Sequence, residues 1–153
     1  MIPRMVWIAS ACIIAGVTVA SAEAVAPDKV MIEDMTVGTS LTGQAGNPEE
    51  GRKVFADRKL GNCLACHANA DLKNELFHGQ VGPPLDGVAD RWEEPQMRAI
   101  LVNSKTVFGE QTIMPSFYRI INDQRTQEKF HNKTILTAEQ IEDIIAYLKT
   151  LKE

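Results

Sequence analysis

Five consecutive residues, Cys63-Leu-Ala-Cys66-His67, restrict what this chain can fold around more than any other stretch. Two cysteines three positions apart can form thioethers to both vinyl groups of one haem, and the histidine that follows can reach its iron. One helical turn brings both sulfur atoms to the same porphyrin edge. The motif therefore predicts a c-type haem site, with Cys63 and Cys66 as covalent attachment points and His67 as an iron ligand.

Two other chemistries use a similar cysteine pair. A thioredoxin-like redox couple is expected among alternating strands and helices, and the sequence around this pair lacks that alternation. A structural zinc ion needs four ligands in a closed tetrahedron. Without the first 22 residues the chain offers only these two cysteines and three scattered histidines, so haem is the favoured interpretation.

The amino-terminal segment has the pattern of a secretory signal peptide. Arg4 is the only charged residue among the first 22, an apolar run covers residues 5–19, and Ala20-Ser-Ala22 supplies small residues at the cleavage positions. We expect residues 1–22 to be removed after Ala22, which leaves no membrane segment; a retained membrane anchor is the alternative. Export to the periplasm suits the haem prediction, because thioether attachment of this kind takes place outside the bacterial cytoplasm.

The charge balance limits the possible partners. After loss of Arg4 the chain keeps 15 basic and 20 acidic residues, a net charge of −5. Such a surface makes nucleic acid or an anionic membrane a poor partner. Cys12 leaves with the signal peptide. The remaining 131 residues suffice for one domain, which we place at residues 47–153.

Residues 23–46 read as an extension before this domain. The segment is rich in Ala, Thr and Gly, and its apolar residues show no sustained helical or strand period. A mobile tail is one interpretation. The other is a strap that binds a partner subunit through Met31, Ile32 and Met35.

Capping patterns predict an all-α domain closed by its first and last helices. Asn47 and Glu50 form a possible capping box for a helix over residues 47–58, in which Gly51 and Phe55 share a face. A second capping box begins at Thr137, and apolar residues then recur at helical spacing as far as Leu151. We expect the two helices to cross, with Tyr147 against Gly51 and Phe55. A middle helix is expected over residues 94–103, and no segment reads as a strand.

The sixth iron ligand is best assigned to Met114. This residue lies outside any periodic pattern and precedes Pro115, which stiffens the backbone. A thioether on a stiff loop is suited to axial ligation, which raises the reduction potential relative to two imidazole ligands. The competing candidates are Met31, Met35, Met97, His78 and His131; Met97 reads as a core residue, and the two histidines read as surface residues.

The residues Gly82-Pro83-Pro84-Leu85 form a rigid apolar turn suited to supporting the iron-ligating histidine. A ligating imidazole normally donates its second N–H to a carbonyl or carboxylate, which fixes the ring. We assign that carbonyl to Pro83 and expect Leu85 to pack on the haem. Arg91 and Trp92 carry N–H groups that are candidates for the haem propionates.

Together these segments resemble a class I monohaem cytochrome c. More narrowly, GNCLACH at residues 61–67, VGPPL at 81–85 and TIMPSFYRI at 112–120 resemble SoxX, the small cytochrome subunit of the SoxAX complex of periplasmic sulfur oxidation. The resemblance spans residues 47–153. It implies one covalent haem c, attached through Cys63 and Cys66, with His67 and Met114 as axial ligands.

The resemblance also implies a role. In that family the complex oxidatively couples thiosulfate to a cysteine of a carrier protein, and the larger SoxA subunit holds the catalytic cysteine. A SoxX-like chain is then a non-catalytic electron-transfer subunit of a thiosulfotransferase, partnered by a SoxA-like cytochrome and a downstream electron acceptor. A free periplasmic electron carrier is the main alternative, and a haem enzyme or sensor with an open sixth position is a third.

Overall fold

A computed structural model describes residues 23–153, and the predicted signal peptide lies outside this range. The described chain is all-α, as predicted. Its helices are α1 (Pro48–Ala56), α2 (Val88–Arg91), α3 (Glu94–Phe108) and α4 (Ala138–Leu148), joined by loops with short 3-10 turns. Within this range the only extended pairing is a single bridge between Glu33 and Thr36. No helix among these residues is long and apolar enough to cross a bilayer.

Helix α1 begins where the capping pattern places it. The Asn47 side chain accepts hydrogen bonds from the backbone N–H groups of Glu49 (2.9 Å) and Glu50 (3.4 Å). The Glu50 carboxylate bonds the Lys53 ammonium at 2.7 Å instead of closing the predicted capping box. The helix ends at Ala56, two residues earlier than expected.

Helix α4 carries the strongest amphipathic pattern and forms the centre of the core. Both halves of its capping box are present: Thr137 Oγ1 accepts from Gln140 N at 3.2 Å, and Gln140 Oε1 accepts from Thr137 N at 3.0 Å. Ile141, Ile144 and Ile145 are buried, which puts the apolar face of α4 against the rest of the domain.

Helices α1 and α4 cross in direct contact, as predicted. A Cβ atom on Gly51 would lie 1.9 Å from the carbonyl oxygen of Asp143, so only glycine permits this crossing. The ring of Phe55 meets that of Tyr147 edge-on, with centroids 5.5 Å apart. The prediction that Tyr147 packs on Gly51 is thus wrong in one detail, because the backbone of Asp143 occupies that place.

Helix α3 is longer than the sequence predicted. The expected helix ended at Asn103, and the backbone does leave the helical region there, at φ −149° and ψ 84°. The chain then resumes a helical path as far as Phe108. Asn103 is therefore a break inside the element and not its end.

Residues 23–46 fold back onto the domain instead of forming a free tail. Val37 and Leu41 are buried in the common core. The backbone N–H of Val25 donates to the carbonyl of Leu41 at 2.8 Å, and that of Val37 donates to Pro95 at 2.9 Å. The apolar side chains of this segment pack mostly on its own domain, which leaves Met31 and Met35 exposed.

A buried ion pair joins this extension to two helices. The Arg98 guanidinium of α3 donates to both carboxylate oxygens of Glu142 of α4, at 2.8 and 2.9 Å. Arg98 also donates to the carbonyl of Val37 at 3.0 Å, and the backbone N–H of Leu41 donates to Glu142 at 2.8 Å. Both charged side chains are at most 4% exposed. Sequence reasoning missed this pair, because each residue reads as an ordinary charged position on a surface helix.

Candidate haem site

The residues proposed for haem binding line one cavity of about 440 Å³. Cys63, Cys66 and His67 reach it from the loop after α1, and Met114 reaches it from the loop after α3. The wall is largely apolar and includes Phe55, Trp92, Leu101 and Leu148. A volume between about 300 and 1,000 Å³ with a few convergent polar groups is typical of cofactor sites. Two thiols, an imidazole and a thioether in an apolar cavity fit a haem.

A tight turn places the two cysteines and the histidine that are proposed to bind haem. Asn62 adopts a left-handed conformation (φ 49°), and a 3-10 turn then covers Cys63–Ala65. The backbone N–H of His67 donates to the carbonyl of Cys63 at 2.9 Å, which closes one helical turn from the first cysteine to the histidine. The buried side chain of Leu64 fixes this turn to the core.

The cysteine environment does not suit the two other chemistries. Burial raises the pKa of the Cys63 thiol to about 12, the opposite direction from the lowered pKa that is typical of a reactive cysteine in a redox pair. Among residues 23–153, no three His, Cys, Asp or Glu side chains come close enough together to hold a metal ion. A closed zinc site is therefore not formed by this part of the chain.

The ring of His67 is held from the proline turn. Its Nδ1 lies 2.7 Å from the carbonyl oxygen of Pro83, the group to which we assigned this role, so a proton on Nδ1 leaves Nε2 for iron. Gly82 packs on the ring so closely that a Cβ atom there would lie 2.3 Å from His67 Cε1. Leu85, which is partly buried, also lines the cavity.

Arg91 and Trp92 take different positions. The two terminal nitrogens of Arg91 donate to the backbone carbonyls of Asp86 (2.6 Å) and Pro84 (2.7 Å). Arg91 thus braces the proline turn, and the prediction that it faces the haem propionates is not supported by these contacts. Trp92 does line the cavity, where it meets Phe108 edge-on with centroids 6.1 Å apart.

The other candidate axial ligands differ from Met114 in where they lie relative to the cavity. Met97 is a buried core residue of α3, as predicted, although it also lines the cavity. Met31 and Met35 are exposed on the extension. His78 uses one ring nitrogen towards the backbone N–H of Asn69 and the other towards the carbonyl of Leu72, and like His131 it does not line the cavity.

A polar network that sequence reasoning missed ties the attachment loop to both crossing helices. The Tyr147 hydroxyl of α4 donates to the Asp71 carboxylate at 2.8 Å and accepts from the buried amide of Asn69 at 2.9 Å. Arg52 of α1 donates to the same carboxylate at 2.9 Å. The hydrogen bond from Tyr147 and then the Arg52 guanidinium hold the pKa of Asp71 below its ordinary value. No short motif marks these four residues, since they come from three separate segments.

Comparison with known proteins agrees with this site. The family model described as Cytochrome c matches residues 48–152. The crystal structure of SoxXA from P. pantotrophus contains a chain that is 44% identical, with a TM-score of 0.78; the match covers 85% of this chain and 99% of that one. A second structure, the c-type cytochrome SorU from Sinorhizobium meliloti, is 26% identical over 68% of this chain and 88% of that chain, with a TM-score of 0.44. No curated protein gave a significant match.

The chain therefore belongs to the cytochrome c family. Its role is electron transfer, and its cofactor is a single covalently bound haem c, which supplies one-electron ferric–ferrous chemistry. Within the family it is a SoxX-like class I cytochrome c.

Proposed function

We propose that this chain is the electron-transfer subunit of a periplasmic SoxAX-like complex that oxidatively couples thiosulfate to a carrier-protein cysteine. The observation that carries the proposal is the 44% identity to a chain of SoxXA, which this chain covers over 99% of its length. Joining the sulfane sulfur of thiosulfate to a thiol forms one S–S bond and releases a proton and two electrons. This chain accepts those electrons one at a time and passes them to a downstream acceptor.

We further propose the roles of the site residues. Cys63 and Cys66 carry the haem, His67 and Met114 bind its iron, and Pro83 orients the imidazole. The support is that these side chains share one cavity and that His67 Nδ1 lies within hydrogen-bond distance of the Pro83 carbonyl. No cysteine other than this pair occurs in residues 23–153, so the thiol that carries sulfur belongs to other proteins.

The partner surface is proposed to surround the mouth of the cavity. Val81 and Ile113 are 64% and 76% exposed, Phe108 is half-exposed, and all three line the cavity. Electron transfer requires close approach of two redox centres, and an apolar rim loses little on desolvation when a partner docks. A SoxA-like cytochrome is the proposed occupant of this surface.

The domain division is also a proposal. A signal peptide at residues 1–22 directs export, residues 23–46 form an extension, and residues 47–153 form the cytochrome domain. The family match over residues 48–152 supports the last boundary. The exposed Met31 and Met35 leave the extension with side chains that are available to a partner.

A native mass spectrum tests these proposals together. The tagged chain is purified gently from the periplasm of its own host, grown on thiosulfate. We expect a mature mass that starts at Glu23 and includes one haem, in a one-to-one assembly with a second haem protein. The Cys63→Ala/Cys66→Ala double variant is the control and should carry no haem that survives denaturation.

Other results would favour one of the alternative functions. A haem-bearing chain with no partner would indicate a free electron carrier that acts between other redox complexes. Haem that binds carbon monoxide readily in the unmodified chain would indicate an enzyme or sensor. A wild-type mass without haem would mean that the two cysteines are free thiols, and the haem proposal would be wrong.

A further inference from the structure

The methionine loop, residues 109–118, lies against the broken part of α3. Backbone N–H groups of Phe117 and Tyr118 donate to the carbonyls of Leu101 and Val102, at 3.0 and 3.3 Å. These two carbonyls immediately precede the non-helical Asn103. The loop is therefore bound to α3 at the position where the helix is interrupted.

Side chains at the break continue this attachment around Met114. The Ser104 hydroxyl donates to the carbonyl oxygen of Met114 at 2.6 Å, and Ser116 donates to the amide oxygen of Asn103 at 2.8 Å. The Lys105 ammonium bonds the carbonyl of Thr112. Consecutive residues of one helix thus hold both sides of the methionine, from Thr112 to Ser116.

The hydroxyl of Ser104 makes its hydrogen bond to this loop. Its side chain is fully buried, at 0% exposure, and its hydroxyl has Met114 as its acceptor. A serine within a helix commonly bonds the carbonyl one turn earlier, which slightly weakens the helix. Here the hydroxyl is directed to the methionine backbone, and Pro115 restricts the same backbone from the other side.

From this geometry we infer that Ser104, with Asn103, is a positioning residue for Met114: the break in α3 fixes the loop at the distance from which the thioether reaches iron. The inference rests on the proposed axial role of Met114. Fixing the carbonyl limits the movement of the Met114 side chain to its own rotamers, so the closed, thioether-bound state is favoured over an open one. Loss of the Ser104 hydroxyl shifts that balance towards the open state.

The test is Ser104→Ala in the full holoprotein, titrated with imidazole in the ferric state. One hydrogen bond to a partly buried carbonyl is lost, so we expect imidazole to displace the thioether roughly three- to tenfold more easily. The thioether-to-iron charge-transfer band should weaken, and the reduction potential should fall as the population with the thioether detached grows. Ser40→Ala is the matched control, because Ser40 also donates to a backbone carbonyl, at 2.8 Å, but lies on the extension.

A second pair of variants separates positioning from general stability. Asn103→Asp keeps an oxygen acceptor for Ser116, whereas Asn103→Ala removes it; only the second should ease imidazole binding. A change in the melting temperature alone, with imidazole affinity and the charge-transfer band as in Ser40→Ala, would overturn the inference.

Met114→Ala distinguishes failure of the inference from failure of the proposed ligand. Loss of the band in Met114→Ala, with no effect of Ser104→Ala, would refute only the positioning role. An unchanged low-spin spectrum in Met114→Ala would mean that another residue binds iron, and both proposals would fall.

Discussion

At the scale of single residues, the two sides of the haem cavity are constructed differently. His67 is held by one carbonyl and by the close contact of Gly82. Met114 is held by a whole loop whose bonds run to α3. The cysteines, the histidine and the methionine were all predicted from sequence, because each has a motif or a proline beside it, and all four line the cavity. Ser104 could not be predicted to contact Met114, because the sequence of a helix does not show which group a serine hydroxyl bonds.

Gly82→Ala should disturb the histidine side of the cavity. The added Cβ would lie 2.3 Å from His67 Cε1, so the ring or the proline turn must shift. Overpacking of this kind typically lowers the free energy of unfolding by about 1–3 kcal/mol. Chemical denaturation measures this loss, and visible absorption should show a mixed-spin haem. Gly38→Ala is the control, because no atom lies within 4 Å of its added Cβ; equal effects of both changes would contradict the packing explanation.

At the scale of elements, the starts of α1 and α4 could be predicted closely, because a capping residue precedes an apolar period in each, whereas both helices end earlier than predicted. The crossing followed from Gly51, although the atom that meets it, the carbonyl oxygen of Asp143, could not be read from a pattern. The length of α3 was mispredicted because the helical path resumes after the break at Asn103, where the hydrogen bond to the methionine loop lies outside the helix. Long-range contacts therefore determine the features of these helices that local sequence patterns do not predict.

Glu142→Gln should test the ion pair that joins α3, α4 and the extension. The change leaves the guanidinium of Arg98 buried at 2% exposure with only Glu94 as a charged partner. Removing one member of a buried pair destabilises a protein by about 3–5 kcal/mol, and we expect the lower end because Glu94 remains. Urea denaturation followed by circular dichroism measures the loss. Glu139→Gln, an exposed position on the same helix, should change stability by less than about 0.5 kcal/mol.

At the scale of the whole molecule, the extension is part of the core. The sequence of residues 23–46 has no regular period, because these residues contribute buried side chains from an irregular loop instead of from a helix or strand. A free tail does not describe a segment that buries Leu41 and accepts a bond from Arg98 through Val37, whereas partner binding by its exposed side chains stays a prediction. Deleting it would remove part of the domain and would not test partner binding by itself.

The double change Met31→Gln/Met35→Gln tests the extension without unfolding it. Both side chains are exposed, so thermal stability and the haem spectrum should stay as in the wild type. Binding to the purified partner should weaken if the extension contributes to the interface, as isothermal titration would measure. Affinity equal to that of the wild type would restrict the extension to its structural role, with Leu41→Ala, expected to lose about 2–5 kcal/mol, as the positive control for that role.

Stability should also fall on acidification. The pKa of Asp71 is held below 3.8, first by the hydrogen bond from Tyr147 and then by Arg52. That of Glu94 is held below 4.5 by Lys149 and then by Arg98. A lowered folded-state pKa means that the unfolded chain binds more protons, so this stabilisation is complete above about pH 4.5 and is lost as pH falls through the lowered values. Melting temperatures between pH 7 and pH 3 should show the decline.

Asp71→Asn is the variant that isolates part of this effect. It removes one of the carboxylates whose pKa is lowered, so its stability should depend less steeply on pH in the acidic range than that of the wild type. Glu128→Gln, an exposed position outside the network, should follow the wild-type curve. Identical slopes for Asp71→Asn and the wild type would assign the acid sensitivity to other carboxylates.

The contacts of Val25 bear on when the proposed signal peptide can be removed. This residue lies three positions beyond the expected cleavage point, yet its N–H bonds the carbonyl of Leu41 and its carbonyl accepts from the Tyr118 hydroxyl at 2.8 Å. A protease needs an extended, unpaired backbone on both sides of the bond that it cuts. If residues 1–22 are a signal peptide, we therefore expect cleavage after Ala22 to be faster in the unfolded precursor than in the folded one, as pulse-chase processing would measure.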